Sequence, residues 1–499
     1  MDLIKLKSGT DIRGVATDGG GEQVNLTPEA VEKLTGAFAL LLKERFPASK
    51  KVAVGRDSRI SGPALEKAVI DALTGSGYDV LDCGLCSTPS MFMMTVYDQT
   101  KCDASIMITA SHHPFHRNGL KFFFPGGGAE SEDIDKIIDY AMHDKHIDGA
   151  APGTVTTDDY MELYCRFLRG IVSDALGGRD KPLAGLHIVV DAGNGAGGFY
   201  AGRVLEPLGA DVSGSQFLQP DGTFPNHIPN PENQQAMWAI RDCTVKNNAD
   251  LGIIFDTDVD RAAIVASDGE EINRNRLIAL VSAIVLQKYP GATIVTDSVT
   301  SDGLKEFIEA HGGVHHRFKR GYRNVINEAI RLCNSGVTAP LAIETSGHAA
   351  MKDNYFLDDG AYLVTNIIIE AVRLKEQNKT LQSLIADLKC PLEEKEIRLT
   401  FGDGVDFKRV GGYIIESLKN VKLDNFVVAP DNYEGVRVSI PAYKGWFLVR
   451  MSVHDPIMPI NIESDMKGGV KAIAAVLYSY LKEFSFLNTE NLKDVAMAE

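Results

Sequence analysis

The chain reads as a multidomain α/β protein: three α/β domains of similar design, followed by a separate α+β domain. Three observations predict this. At 499 residues the chain is too long for one core, and about 150 residues per domain implies three or four domains. A strand, a polar turn, glycine and then a helical pattern recur three times at long spacing. The strands are Lys51–Gly55 ending in Arg56-Asp57-Ser58, Leu186–Val190 ending in Asp191-Ala192-Gly193, and Ala292–Val295 ending in Thr296-Asp297-Ser298. After Pro391 the pattern changes to alternating strands and amphipathic helices.

Individual elements follow from local chemistry. Thr27 is placed to cap a helix, Pro28 fits its first turn, and Val31, Leu34, Phe38 and Leu41 recur at helical spacing. Tyr78–Asp82 reads as a strand leading into Cys83-Gly84-Leu85-Cys86. A redox C-x-x-C would open a long helix; Ser87, Thr88 and Pro89 follow instead, which favours two thiols in a strand-end loop. Leu277–Leu286 is nearly all apolar and reads as a buried helix. In the last domain Glu393–Thr400, Val436–Ile440 and Trp446–Ser452 alternate as strands. Val405–Leu418, starting at Asp406, and Gly469–Phe484 read as helices. Breaks fall near Ala151-Pro152-Gly153, Ser267-Asp268-Gly269 and Cys390-Pro391, giving expected domains of 1–155, 156–267, 268–390 and 391–499.

Composition narrows the function. A net charge of -16, from 51 basic and 67 acidic residues, argues against nucleic acid or an anionic membrane as partner. It leaves room for a phosphorylated small molecule in a local basic cleft. The N-terminal stretch shows no signal-peptide pattern, and no apolar run reaches the ~18 residues of a membrane span. Seven scattered cysteines fit a reducing compartment, so a cytoplasmic location is expected.

Five stretches invite chemistry. Met107–Lys121 places Ser111 between an apolar strand and a loop holding His112, His113, His116, Arg117, Asn118 and Lys121. A reachable serine amid positive charge suits a phosphoryl carrier, because phosphoserine bears close to two negative charges; an ordinary loop serine is the alternative. The histidines make a poor metal site, since adjacent rings do not face one ion and no acid stands among them. Asp256-Thr257-Asp258-Val259-Asp260-Arg261 follows a buried strand and brings three hard oxygen ligands to one point, as Mg²⁺ prefers; a solvated acidic turn is the alternative. Glu344-Thr345-Ser346-Gly347-His348 offers donors and acceptors for sugar hydroxyls. Arg450-Met451-Ser452-Val453-His454-Asp455-Pro456 offers groups that hold a phosphate. Gly193–Gly198 satisfies G-x-G-x-x-G, but Asp191 sets a carboxylate where a dinucleotide pyrophosphate would approach. No G-x-x-x-x-G-K-[ST] is present.

In order along the chain, these motifs resemble the α-D-phosphohexomutase superfamily, specifically its phosphomannomutase/phosphoglucomutase branch. Gly9–Gly14, Gly55–Arg59, Thr109–Pro114 (T-A-S-H-N-P in the family), Pro220–His227, Asp256–Arg261 (D-G-D-G-D-R) and Glu344–His348 (within G-E-M-S-G-H) carry the resemblance. It implies four domains around a central cleft, three similar α/β mixed-sheet domains plus a C-terminal α+β domain. It also implies a mutase: phosphorylated Ser111 gives its phosphoryl group to a sugar monophosphate, and the bisphosphate turns over and returns the other phosphate. The family roles fall on Ser111, Lys121, Arg13 and His112 as catalytic residues. Ser111, Asp256, Asp258 and Asp260 would hold one Mg²⁺. Arg261, Lys319, Glu344, Ser346, His348, Arg450, Ser452 and His454 would bind substrate. A sugar bisphosphate is implied as activator, with a monomer or homodimer as the working form.

Three departures stand out. His113 replaces the usual asparagine, which predicts altered pH behaviour beside the serine. Thr257 and Val259 replace glycines in the metal loop. The last-domain loop, usually R-x-S-G-T-E-P, keeps its arginine, serine and acid but not its glycine and threonine. Glucose and mannose phosphates are the expected substrates. A phosphoglucosamine mutase and a phosphosugar-binding homologue without catalysis are the alternatives.

Overall fold

The structure, a computed structural model, describes residues 2–402, 404–420, 426–430, 432–452 and 456–498. It divides into two compact units, Met1–Leu277 with Ser346–Ser383, and Ile278–Thr345 with Leu384–Glu499.

In the first unit, one sheet runs in the order Lys7–Ser8, Asp11–Val15, Arg117–Phe124, Ala104–Ile108, Lys51–Arg56, Asp79–Leu85, Val155–Thr157, with Gly127–Gly128 paired to the long Arg117–Phe124 strand. Its pairings are parallel around Lys51–Arg56 and antiparallel around Arg117–Phe124. The helix Pro28–Arg45 covers it as expected: Thr27 accepts the Ala30 N–H, and Val31, Leu34, Phe38 and Leu41 are buried. Phe38 stacks on Phe122 of the sheet at 4.7 Å. Such burial of a Phe or Leu side chain stabilises by about 1.5–3 kcal/mol. The strand Asp79–Leu85 runs three residues further than expected, so Cys83 lies inside it and not in the loop, and Cys86 follows it. The next helix, Thr88–Met93, is short, and all the cysteines are free thiols.

A second mixed sheet has the order Glu271–Ile272, Ala262–Ala266, Leu251–Phe255, Ile188–Asp191, and the last two strands are parallel. Polar loops leave the strand ends at Asp191 and Phe255, where ligands gather in α/β sheets. The first unit also holds the hairpin Ala349–Met351 and Leu357–Asp358, and the helix Gly360–Glu376. The helix expected at Leu277–Leu286 spans Asn275–Lys288.

In the second unit, Val314–Arg317, Thr293–Thr296 and Leu341–Ile343 run parallel beside the helices Asp302–Ala310 and Tyr322–Asn334. The C-terminal part is a six-stranded antiparallel sheet, in the order Val427–Val428, Val436–Ile440, Gly445–Val449, Ile457–Ser464, Glu393–Phe401, Leu487–Asn488. The helices Phe407–Asn420 and Gly469–Leu481 bury Ile414, Leu418, Ile473 and Leu477 in one apolar cluster with it. Asp406 accepts the Arg409 N–H and so caps the helix it was expected to start. Among the described residues, no helix is long and apolar enough to cross a membrane.

Candidate active site

Ser111 sits three residues past the end of the strand Ala104–Ile108, with φ 51°. A serine in the left-handed region needs local support. Its N–H donates to the Thr109 hydroxyl at 2.9 Å. Its hydroxyl meets Asp256 Oδ2 at 3.2 Å, Arg261 Nη2 at 3.0 Å and His112 Nδ1 at 3.3 Å. Metal-loop residues therefore converge on the serine from the second sheet, about 150 positions along the chain.

The loop itself is held by Arg59, which the sequence reading named only within the Gly55–Arg59 motif and gave no role. Its guanidinium donates to four backbone carbonyls: Ser111, His113 at 2.7 Å, Pro114 at 2.7 Å and Arg117 at 2.8 Å. Its Nε meets Asp57 Oδ2 at 3.1 Å, and that carboxylate also accepts the Thr109 hydroxyl at 2.7 Å. Both partners are fully buried, so five directed donors replace water. The signal was Asp57-Ser58-Arg59 at the end of a buried strand: opposite charges two residues apart, with no solvent to take them.

Asp256, Asp258 and Asp260 are buried with ligand oxygens within 4.8 Å of one another. Lys121 Nζ donates to Asp260 Oδ2 at 2.5 Å and Asp258 Oδ2 at 3.1 Å; the Thr88 hydroxyl donates to the same Asp258 oxygen at 2.5 Å. Oδ1 of Asp258 and Oδ1 of Asp260 are buried with no hydrogen-bond partner among the described residues. Burial, then Asp260 and Asp258, push the Asp256 carboxyl well up. Crowded, buried hard oxygens with unused lone pairs fit a divalent cation. Val259, between these ligands, has φ 68°, which only glycine adopts freely.

The glycine-rich stretch serves this loop instead of a dinucleotide. A Cβ on Gly195 would lie 2.6 Å from the Thr257 carbonyl oxygen, and the Ala196 N–H donates to that oxygen at 2.8 Å. Asp191 is spent on His227 Nε2 at 3.0 Å and Gln216 Nε2 at 2.7 Å. The Pro220–His227 stretch backs the serine clamp: a Cβ on Gly222 would lie 2.4 Å from the Ile60 nitrogen, and Arg59 stands 5.2 Å over the Phe224 ring.

Other first-unit candidates surround this core. Arg13 lies on a strand paired with the one carrying Lys121, and bonds Asp11 at 2.8 Å. His348 Nδ1 pairs with Asp358 and stands 3.9 Å from Asp260 Oδ1. Burial is the largest influence and opposes its charged form, but Asp358 and Asp260 together overcome it and raise its pKa. Ser346 is buried. His112 is pushed well below its usual pKa, by Arg261 first and then by burial. His113 is pushed down to about 3, by burial first and then by Arg13, Arg59 and Arg117. That corrects the pH expectation: His113 stays neutral, like the asparagine it replaces.

In the second unit, Glu344 is buried and accepts the Gly321 N–H at 2.6 Å. Lys319 Nζ lies 5.9 Å from the Phe318 ring. Arg450 is buried 3.5 Å from Glu434, whose other oxygen accepts the Ser298 hydroxyl at 2.7 Å and the Arg320 N–H at 2.9 Å. The Ser452 N–H donates to the Ile457 carbonyl at 3.1 Å. His454 lies outside the described residues.

Three consecutive family models match the chain: phosphoglucomutase/phosphomannomutase alpha/beta/alpha domain I over residues 5–147, domain II over 164–269 and domain III over 273–390. The chain belongs to the phosphoglucomutase/phosphomannomutase family. A phosphoglucomutase of Neisseria gonorrhoeae is 30% identical to it, over 93% of this chain and 94% of that protein. A phosphomannomutase/phosphoglucomutase of Pseudomonas syringae is 31% identical, over 95% and 94%. The solved structure of a phosphoglucomutase/phosphomannomutase family protein from Burkholderia thailandensis superposes with a TM-score of 0.79 at 27% identity, covering 95% of this chain and 96% of that one. The stretch matched by domain I includes Arg59 and Ser111, and the stretch matched by domain II includes Asp256, Asp258 and Asp260.

Proposed function

We propose that the protein is a phosphohexose mutase, an isomerase that interconverts the 1-phosphate and 6-phosphate of glucose, mannose or both. The carrying observation is the Ser111 hydroxyl, within 3.3 Å of Asp256, Arg261 and His112 on a loop that Arg59 locks. A phosphosugar-binding protein without chemistry needs neither a serine so held nor three buried carboxylates beside it.

Ser111, as its phosphate ester, is the donor. The bond from phosphorus to the serine oxygen breaks as a bond to the sugar hydroxyl oxygen forms. The hydroxyl proton passes to a general base, for which the His348–Asp358 pair and Lys121 with Arg13 are the candidates. Asp256 gives a proton to the departing Ser111 oxygen and takes it back when the second phosphate returns. Asp256, Asp258 and Asp260 would hold one Mg²⁺. When bound, it would supply charge neutralisation for the transferring group. Arg261 steadies the serine oxygen; Glu344 and Ser346 bind sugar hydroxyls; Lys319, Arg450, Ser452 and His454 hold the phosphate that does not react. A sugar bisphosphate would restore phosphoserine lost to hydrolysis. The reaction needs no nucleic acid and no membrane, and fits a cytoplasmic enzyme.

Intact mass and turnover of one sample test this. Freshly purified protein should carry up to one phosphate per chain. Ser111→Ala should lack it and lose at least about 10³-fold in turnover of glucose 1-phosphate and mannose 1-phosphate. Undiminished turnover by that variant sinks the proposal.

A further inference from the structure

Besides Lys121, Ser111 and His112, the Thr88 side chain of the first sheet's domain reaches the metal loop. Thr88, 170 positions before Asp258, donates its hydroxyl to Asp258 Oδ2 at 2.5 Å and its N–H to the backbone carbonyl of that same residue at 2.8 Å. Thr88 and Asp258 are both buried. Lys121 donates to the same Oδ2, at 3.1 Å. Both side-chain donors thus load one oxygen of Asp258 and leave Oδ1 without a partner among the described residues.

Thr88 is itself set by its own neighbours. Ser87 and Ser90 bond each other reciprocally around it, and the Cys86 N–H donates to the Arg56 carbonyl at 2.8 Å. Pro89 restricts the backbone of the residue before it. The hydroxyl is therefore placed before any cation arrives.

We propose that Thr88 is a positioning residue for the cation: by occupying Oδ2, its hydroxyl fixes the rotation of the Asp258 carboxylate and presents Oδ1 to the ion. This rests on the reading of Asp256, Asp258 and Asp260 as metal ligands. Without the hydroxyl, the carboxylate turns toward Lys121 and both oxygens are drawn to the ammonium. The backbone bond from residue 88 survives, so the loop stays in place and only ligand orientation is lost. Partners that orient metal ligands typically contribute about 10–100-fold in affinity.

The test uses the full chain with Mn²⁺ as probe, titrated by electron paramagnetic resonance, and four variants: Thr88→Val, Thr88→Ala, Thr88→Ser and Asp258→Asn. Thr88→Val and Thr88→Ala should bind Mn²⁺ about 10–100-fold more weakly than the parent, with the apparent Mg²⁺ constant for turnover rising by the same factor. Thr88→Ser restores the hydroxyl and should return within about 3-fold of the parent, on the same reasoning. Parent-like Mn²⁺ affinity in whichever of Thr88→Val and Thr88→Ala folds overturns the proposal; so does a serine variant as weak as valine. Asp258→Asn separates the levels. If it loses Mn²⁺ while Thr88→Val does not, Thr88 has no part in placing the ligand and the metal loop stands. If the parent binds no Mn²⁺, or Asp258→Asn binds it unchanged, the metal reading and this proposal fall together.

Discussion

The Ser111 loop in the first unit and the Arg450 region in the second are both read as phosphate sites, and they are built by opposite means. Around Ser111 the polar groups are matched internally. Arg59 is fully buried, with its donors directed at four carbonyls and one carboxylate, and the serine hydroxyl already has three partners. Around Arg450 the charge is underused. Its carboxylate partner, Glu434, stands at 3.5 Å, and its Nε is buried with no hydrogen-bond partner among the described residues. Burial lowers the Arg450 pKa, and Glu434 counters it. The difference fits the two proposed jobs. A group that reacts along one line must be fixed before substrate arrives. A group that anchors a phosphate which does not react gains most when the ligand completes its hydrogen bonds.

The comparison breaks if the first region proves tolerant. Arg59→Met keeps the volume but leaves Asp57 buried and unpaired, with four carbonyls lacking their donor. Removing one partner of a buried pair costs on the order of 3–5 kcal/mol. Urea unfolding should show that loss, together with failure of Ser111 to become phosphorylated. A variant as stable as the parent would remove the clamp from the account. Arg450→Ala should behave differently. It should raise KM for the sugar phosphate by about 10–100-fold, from the loss of a charge-assisted contact of roughly 1.5–3 kcal/mol, with a smaller change in kcat. Steady-state kinetics settles it: a fall in kcat alone would place Arg450 with the reacting groups.

What the sequence showed and what it hid divide along chain distance. Ser111 and the three aspartates were legible because each set lies within a few residues of a strand end, where α/β proteins keep their chemistry. The grip of Arg59 on the serine loop and the bond of Thr88 to Asp258 were not, because those partners lie at least 52 and 170 positions away, and only tertiary packing joins them. Gly193–Gly198 looked like a pyrophosphate cradle because close approach of any backbone demands glycine; what approaches is the chain at Thr257. The expected titration of His113 failed for a related reason: burial suppresses it first, then Arg13 and Arg59 from other segments, along with Arg117 of its own loop.

His113 gives a finer test. Its pKa is depressed on folding, so its neutral form is the one the fold accepts. The stability it allows is complete above the unfolded value of about 6.5, and falls as pH drops from there toward about 3. His113→Asn should leave the pH–rate profile between about 6.5 and 9 unchanged and flatten the loss of stability at acid pH, read by thermal melts across that window. A new kinetic pKa near neutrality in the parent, absent from the variant, would show that the ring titrates where the fold forbids it.

Val259 bears on the comparison at its smallest scale. At φ 68° a branched side chain is strained, at a cost of about 1–3 kcal/mol, yet the side chain is fully buried and so returns packing energy. Val259→Ala discards most of that packing but keeps the Cβ that causes the strain. Val259→Gly discards slightly more packing and removes the strain, at an unfolded-chain cost of roughly 0.5–1 kcal/mol. At an ordinary buried site alanine is the better tolerated of the two. Here the order should invert, with the glycine variant melting at or above the alanine variant and staying within about 1 kcal/mol of the parent. The usual order would mean that the metal loop bears no such strain. The inverted order would show that the serine side of the molecule holds its ligands in place even where the local backbone resists.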